Sequence, residues 1–199
     1  MWDMTISQAP SRGRPRDPRI EQAVTQAAIE VFRERGYPDA SLIEIARRAK
    51  VGTPTLYRRW RSKSAIALDL VAKAVVIPVV DSGDVRRDLA GFVANRIRTF
   101  EDPLYRHVLL ALSTIAVINP EVGAGIRKVF DDAQRPMLER LERARDRGEL
   151  PASIDCDMVL NMAVGAVAVP LVFTGLSRAE SDAETIVAAV LDGLAGPPA

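Results

Sequence analysis

Residues 41–60 of the chain read SLIEIARRAKVGTPTLYRRW, and the capping and turn residues within this stretch decide the fold. Ser41 followed by Glu44 forms a capping box, which predicts a helix that begins with the residue after the serine. Gly52 predicts a tight turn with a positive φ angle, because glycine adopts that conformation without steric cost. Pro54, preceded by a threonine, predicts the start of a second short helix. Two short helices joined by a tight turn are the parts of a helix-turn-helix.

The second helix of such a motif enters the major groove of DNA, so its outward side chains are candidate DNA contacts. Helical periodicity turns Leu56 and Trp60 inward, where they pack within the motif. An arginine that bonds a guanine with two N–H groups discriminates between bases by roughly 1–3 kcal/mol. For the two arginines of this helix the sequence leaves open whether a base or a phosphate is contacted, and its tyrosine could be a core aromatic. The candidate contacts are Gly52, Thr53, Pro54, Thr55, Tyr57, Arg58 and Arg59.

Apolar residues recur at helical spacing along most of the chain, and no stretch alternates as a strand would. We therefore predict an all-α fold: an N-terminal three-helix helix-turn-helix domain joined to a C-terminal helical bundle, with about nine helices in total. The predicted regions are a flexible basic arm over 1–16, a DNA-binding domain over 17–64 and a second helical domain over 65–199. Pro136 is expected to kink or divide the seventh helix, and the eighth is expected over 155–173.

Charge is divided unevenly along the chain. Residues 1–65 carry 13 Lys and Arg against 7 Asp and Glu, whereas residues 66–199 carry 14 against 19. A basic first part on an acidic second part is typical of a protein that binds nucleic acid with one end only. The arm contributes Arg12, Arg14 and Arg16, which either contact DNA or merely keep the chain soluble.

The residue types that other function classes need are scarce. One histidine and one cysteine cannot form a zinc site, and there is neither a glycine-rich phosphate loop nor a nucleophile elbow, so we expect no metal, no cofactor and no enzyme. Cys156 is expected to be a small buried residue, with a redox sensor as the alternative. The apolar run 158–173 is too short and interrupted for a membrane span, and no signal peptide is apparent, which favours a cytoplasmic protein. A helical scaffold module that never touches DNA is the competing interpretation.

Residues 45–63, IARRAKVGTPTLYRRWRSK, resemble the signature of the tetracycline-repressor (TetR) family of bacterial regulators. The residues upstream fit the same pattern, and the resemblance covers about residues 17–66. It implies a homodimer that binds a palindromic DNA operator, usually as a repressor, and that usually releases it when a small molecule enters the second domain. An activator and a repressor that ignores ligands are alternatives within the same class.

The resemblance also assigns roles by position. Tyr57 and Lys63 would hold phosphates beside the groove, with a solvated surface lysine as the alternative for the second. Ser41 would cap its helix near a phosphate, and the groove-facing positions would include Gly52, Thr53 and Thr55. Trp60 stands where the family more often has phenylalanine, and Ser64 with the following alanine replaces a common acidic pair.

The eighth helix is apolar on nearly all sides, so most of its surface has to be buried. We predict that helices 8 and 9 pair with their copies in a two-fold, four-helix dimer interface. Two recognition helices would then lie about 34 Å apart and read two half-sites of a palindrome. The alternative is that both apolar stripes belong to the core of a single chain. The predicted interface residues are Val159, Met162, Ala163, Ala166, Val167, Ile186, Val187, Val190, Leu191 and Leu194.

A ligand pocket is expected among helices 5 to 8, where aliphatic and methionine side chains favour a hydrophobic ligand. Arg96 is the unusual candidate, because a buried arginine needs an acidic partner or an anionic ligand; an arginine that reaches the surface is the alternative. His107, the one histidine, more often packs or is exposed than contacts a ligand. The full set of candidates is Phe92, Arg96, Phe100, Tyr105, His107, Leu110, Ser113, Phe130, Met137 and Met162.

Overall fold

A computed structural model describes residues 18–195 of the chain. Within these residues it contains nine α-helices and no strand, so the predicted all-α fold is confirmed. The basic arm with Arg12, Arg14 and Arg16 lies outside the described residues. The helices are α1 (Pro18–Asp39), α2 (Leu42–Arg48), α3 (Thr53–Arg59), α4 (Lys63–Val75), α5 (Val85–Glu101), α6 (Pro103–Ala116), α7 (Pro120–Asp146), α8 (Cys156–Ala168) and α9 (Asp182–Ala195), with a π-helical segment, Val169–Thr174, directly after α8.

Short polar side chains begin several of these helices. Ser41 Oγ accepts a hydrogen bond from the backbone N–H of Glu44 at the start of α2, as the sequence predicts. Ser62 Oγ accepts in the same way from Ala65 at the start of α4, and Asp84 accepts from two backbone N–H groups at the start of α5. Each cap satisfies an N–H group that the helix itself leaves without a partner, and contributes about 1 kcal/mol.

Glycine and proline shape three helices in different ways. Gly36 leaves helical geometry at φ 74°, although helical structure resumes as far as Asp39. Pro136 does not divide α7, which runs without interruption from Pro120 to Asp146. Pro170 lacks a backbone N–H, and the predicted eighth helix changes there into the π-helical segment. Gly175 closes that segment at φ 70° and donates its N–H to the Pro170 carbonyl.

Helix α4 joins the head, which comprises α1 to α3, to the body, which comprises α5 to α9. Its buried residues include Ile66, Leu70 and Val75, and it packs against α1 as well as against α6 and α7. Where α4 meets α7, a Cβ atom added to Gly125 would come within 2.5 Å of Leu68 Cδ1. The buried apolar side chains of head and body form one continuous core. A displacement of α4 therefore has to be accommodated in both halves of the chain.

One segment of the described residues, Cys156–Thr174, is long and apolar enough to cross a membrane by length and composition. Its inner face, which carries Val159, Ala163 and Val167, is fully buried against other helices of the chain. We therefore interpret it as a core helix of the bundle. Cys156 is also buried, as predicted, and burial raises the pKa of its thiol, which disfavours the reactive thiolate.

Candidate nucleic-acid interface

The turn between α2 and α3 is a Schellman motif. The N–H of Val51 donates to the Ala46 carbonyl at 3.0 Å, and the N–H of Lys50 donates to the Arg47 carbonyl at 3.2 Å. Lys50 takes the left-handed conformation that this motif requires, with φ 54°. The prediction of a positive φ at Gly52 is therefore wrong, because α2 ends earlier than a glycine-centred turn would need; Gly52 has φ −60° and ψ 135°.

Gly52 is exposed and has a backbone conformation that any residue can adopt. A Cβ atom added to it would meet no described atom closer than Pro54 Cδ, at 4.0 Å. Neither backbone strain nor packing within the described chain therefore requires glycine at this position. Close approach of another molecule to the backbone is a physical reason that fits both observations.

Helix α3 turns one side to the core and the other to solvent. Leu56 and Trp60 are buried, as predicted, and anchor the helix on the head. Tyr57 has 43% of its surface exposed, so the alternative of a core aromatic is wrong. The predicted contact residues on the outer side are Gly52, Pro54, Tyr57 and Arg58, all exposed, with Thr53, Thr55 and Arg59 half-buried.

The two arginines of α3 have different surroundings. Arg59 forms an ion pair with Glu21 of α1, and its guanidinium lies over the Trp60 ring, 5.1 Å from the centroid. Glu21 also pairs with Lys73 of α4 at 2.9 Å, so one carboxylate ties α1, α3 and α4 together. Arg58 is exposed and makes no ion pair or hydrogen bond within residues 18–195. The structure thus separates a packed arginine from one that projects into solvent.

Lys63 is not the solvated surface lysine that the sequence allowed. Its Nζ donates to the carbonyls of Tyr37 at 2.6 Å and of Pro38 at 2.7 Å, and lies 4.6 Å from the centroid of the Tyr37 ring. Burial lowers the pKa of this ammonium, while Asp39 raises it. Tyr37 in turn exchanges a hydrogen bond of 2.9 Å with Ser64. These contacts hold the segment between α1 and α2 against the start of α4.

Helix α2 is fixed by a cluster of ion pairs that the sequence analysis missed. Glu44 accepts hydrogen bonds from Arg47 at 2.8 and 3.0 Å and from Arg48 at 2.9 Å. These bonds lower the pKa of Glu44 to about 2. Arg48 also pairs with Glu34 of α1, which lowers the pKa of that carboxyl. The spacing of Glu44 from the arginines is a signal for the first two pairs, whereas the link to α1 needs the fold.

The predicted dimer residues are mostly covered within the chain itself. Val159, Ala163 and Val167 of α8 are buried, and the apolar stripe of α9 packs on α5 of the same chain. The prediction that these buried residues form the surface of a dimer interface is therefore wrong. Periodicity identifies an apolar side of a helix but not what covers it. The buried α9 residues are Ile186, Val187, Val190 and Leu191, whereas Met162 is exposed and Ala166 and Leu194 are half-buried. A different apolar row stays exposed on α8, on the π-helical segment and just beyond that segment: Met158, Met162, Val169, Phe173 and Leu176.

The predicted ligand residues lie at different depths in the described part of the chain. Phe92, Arg96, Phe100 and Met137 lie in the core, Tyr105, Ser113 and Phe130 are half-buried, and His107, Leu110 and Met162 are exposed. Phe92 lines a cleft beside the segment that precedes α5, whereas His107 lines another between α1 and α6. A single site for the whole set stays a prediction, because helical spacing does not show which side of each helix faces a shared space.

Comparison with known proteins agrees with this geometry. Residues 79–190, more than half of the chain, match the family model "Tetracyclin repressor-like, C-terminal domain", and residues 24–70 match "Bacterial regulatory proteins, tetR family". The chain belongs to the TetR family. As a TetR-family member, it is a DNA-binding transcriptional regulator with a helix-turn-helix, and not an enzyme.

Individual relatives support the same assignment over nearly the full length. The chain is 27% identical over 184 residues to the HTH-type transcriptional regulator AqdR of Rhodococcus erythropolis, which covers 92% of this chain and 88% of the relative. The crystal structure of the TetR family transcription regulator SCO0332 superposes with a TM-score of 0.71 at 26% identity and covers 90% of this chain and 99% of that one. FadR of Bacillus subtilis, solved in complex with stearoyl-CoA, has the same fold at 16% identity, with a TM-score of 0.67 and coverage of 87% and 98%.

Proposed function

We propose that the chain is a cytoplasmic repressor that binds a palindromic operator as a homodimer and is released from it by a small, largely apolar ligand. The outer face of α3 carries this proposal: it combines an exposed glycine backbone at Gly52 with the exposed side chains of Tyr57 and Arg58. A short helix fits the major groove when a glycine without a side chain precedes it and an arginine lies on its outer side. Residues 17–64 would bind DNA, and residues 65–199 would sense the ligand and dimerise.

The surroundings of each side chain suggest a division of roles on DNA. Arg58 would read a base, because its guanidinium is exposed and makes no ion pair within the described chain. Tyr57 would donate its hydroxyl to a phosphate. Lys63 has three N–H donors, two of which bond carbonyls, so the third could reach a phosphate. Arg59 would act indirectly, by holding α3 on Glu21.

The other predicted contacts have supporting roles in this proposal. Ser41 would bring the start of α2 to a phosphate, where the positive end of the helix dipole favours an anion. Thr53, Pro54 and Thr55 would line the groove at the start of α3. The basic arm with Arg12, Arg14 and Arg16 would follow the backbone or enter the neighbouring minor groove.

The exposed apolar row on α8 and the π-helical segment supports dimerisation. Its large members include Met158, Met162 and Phe173, which are 48%, 45% and 62% exposed. A contiguous row of this kind on a soluble regulator marks an interaction surface, and a second copy can cover it with the same row across a two-fold axis. The dimer would then use the outer side of α8 rather than the buried α9 stripe.

Operator selection tests the proposed function. Duplexes with a randomised centre are selected with the purified chain, enriched sites are sequenced, and affinities are measured at several salt concentrations. We expect an inverted repeat, and we expect Arg58→Ala to lower the preference for one base pair in each half-site. Arg87→Ala, which removes an exposed arginine from α5 of the body, is the matched control and should retain the full preference. Enrichment of no symmetric site, or an equal effect of both variants, would contradict the proposal.

A reporter placed behind the selected site separates repression from activation. Repression predicts that expression falls when the chain is present and recovers in the Arg58→Ala variant. A rise in expression with the wild-type chain would show an activator and would overturn the repressor part of the proposal alone.

A further inference from the structure

Lys50 has a strained backbone conformation in the turn between α2 and α3. With φ 54°, it is the one residue other than glycine that has a positive φ angle within residues 18–195. In this left-handed region the Cβ atom of a side chain comes close to the following carbonyl oxygen, a clash that glycine avoids. The Schellman motif requires the left-handed conformation at this position, but it does not require a lysine. Local geometry therefore explains the conformation and leaves the residue type unexplained.

Contacts within the chain do not offset this strain. The side chain of Lys50 is exposed, and it makes no ion pair or hydrogen bond within residues 18–195. The two arginines at the end of α2 differ in this respect, because Arg47 pairs with Glu44, and Arg48 pairs with Glu44 and with Glu34. Lys50 is thus the cation at this end of α2 whose charge has no compensating carboxylate in the described chain.

The position of Lys50 is beside the part of the head that meets DNA in the proposed complex. Two peptide units separate its Cα atom from that of Gly52, so these two atoms lie at most about 7.6 Å apart. Gly52 directly precedes α3, the helix that would enter the major groove. Because the phosphates of the two strands border this groove, a flexible cation next to the start of α3 is within reach of a phosphate.

We propose that Lys50 binds a DNA phosphate beside the groove that α3 enters, an inference that rests on the proposed binding of DNA by α3. The phosphate supplies the negative charge that the described chain lacks at this position. A lysine ammonium binds phosphate as a point charge with three N–H donors, and such a contact does not distinguish between bases. Glycine would fit the turn better but carries no charge, so a lysine in this turn favours DNA binding over stability.

A structural role for the same charge is the alternative. A cation at the carboxyl end of α2 interacts favourably with the negative end of the helix dipole. That interaction stabilises the free chain and does not involve DNA. Salt dependence separates the two roles, because each phosphate contact that is removed reduces the number of counterions that DNA releases on binding.

Salt titration of DNA binding by matched variants tests the proposal. Lys50→Asn removes the charge and introduces a residue that tolerates the left-handed conformation, and Lys50→Gly does the same with the residue that best suits it. Lys50→Arg keeps the charge. Lys128→Asn is the control, because it removes one positive charge from the exposed surface of α7 in the body.

The expected change can be calculated from counterion release. Lys50→Asn and Lys50→Gly should each lower the slope of log affinity against log salt by about 0.9 for every copy of the chain on the operator, or about 1.8 for a dimer. Between about 50 and 200 mM salt, the wild-type dimer should then lose roughly 12-fold more affinity than either variant. Lys50→Arg and Lys128→Asn should keep the wild-type slope.

Ethylation of individual phosphates locates the contact. Operator that carries about one ethylated phosphate per duplex is separated into bound and free fractions, and the ethylated positions are mapped in each. Ethylation removes the negative charge of a phosphate, so it should weaken binding by the wild type wherever a cation makes contact. In Lys50→Asn, one position in each half-site should lose this effect while the other positions retain it.

The results distinguish failure of this inference from failure of the proposed function. A slope that Lys50→Asn leaves unchanged, or that Lys128→Asn or Lys50→Arg lowers by the same amount, would overturn the phosphate contact while DNA binding by α3 stands. The same conclusion follows if wild type and Lys50→Asn give identical ethylation patterns. A wild-type chain that binds neither the selected operator nor an unrelated duplex would refute the proposed function itself.

Discussion

Gly52→Ala is a substitution that should stabilise the fold and weaken DNA binding at the same time. Alanine fits φ −60° and ψ 135°, and its Cβ would lie 4.0 Å from Pro54 Cδ, an ordinary van der Waals distance. The variant loses backbone freedom in the unfolded chain without strain in the folded one. We therefore expect the free energy of unfolding to rise by about 0.4–1 kcal/mol.

The effect on DNA has the opposite sign. In the proposed complex with DNA, the backbone at the start of α3 approaches closely enough to donate an N–H hydrogen bond to a phosphate. A methyl group at Gly52 would hold the backbone away from the DNA and lengthen that bond. A bond to a charged group contributes about 1.5–3 kcal/mol, and a tenfold change in Kd corresponds to about 1.4 kcal/mol. The expected loss of affinity is therefore about 10- to 100-fold for each half-site that depends on this bond.

Urea unfolding followed by circular dichroism and operator titration by fluorescence anisotropy measure the two effects on one preparation. Gly193→Ala is the matched control, because that glycine is exposed on α9 and an added Cβ would meet no described atom within 4 Å. Its operator affinity should stay at the wild-type value. A Gly52→Ala variant that binds as tightly as the wild type would refute close backbone approach, and a destabilised variant would refute the described turn.

Three further substitutions test other parts of the structure. Lys50→Gly relieves a left-handed lysine, a conformation that costs about 1–2 kcal/mol, so the urea midpoint should rise; an unchanged midpoint would argue against strain there. Arg47 and Arg48 lower the pKa of Glu44 from 4.5 to about 2, so the stability that Glu44 contributes is present above pH 4.5 and lost as the pH falls towards 2. The difference in Tm between wild type and Glu44→Gln should shrink across that window, whereas a constant difference would disagree. Phe173→Glu places a charge in the exposed apolar row and should convert a sedimenting dimer into a monomer; a variant that remains dimeric would exclude this face.

The sequence was sufficient for the elements whose signals are local. The cap at Ser41, the inward positions of Leu56 and Trp60 and the nine-helix order follow from spacing and from residues that are neighbours in the chain. Such features depend on backbone geometry within one or two turns, which the residue types specify directly.

Features that depend on distant parts of the chain could not be predicted. Arg58 and Arg59 are adjacent and chemically identical, and only the position of Glu21 on α1 separates a packed arginine from an exposed one. A solvated surface lysine stayed open as the alternative for Lys63, and only the position of the Tyr37 carbonyl beside its Nζ excludes that alternative. The apolar stripe of α9 could be identified from the sequence, but α5, which covers it, lies about a hundred residues earlier in the chain. Periodicity does not identify the surface that covers a stripe.

Methylation protection on the selected operator tests the central claim most directly, because dimethyl sulfate attacks guanine N7 from the major groove. If α3 enters the groove and Arg58 bonds a guanine, a guanine in each of two half-sites about one helical turn apart should be protected, and Arg58→Ala should restore its reactivity. Operator that binds the chain while every guanine N7 stays reactive, or protection that Arg58→Ala leaves unchanged, would contradict the account.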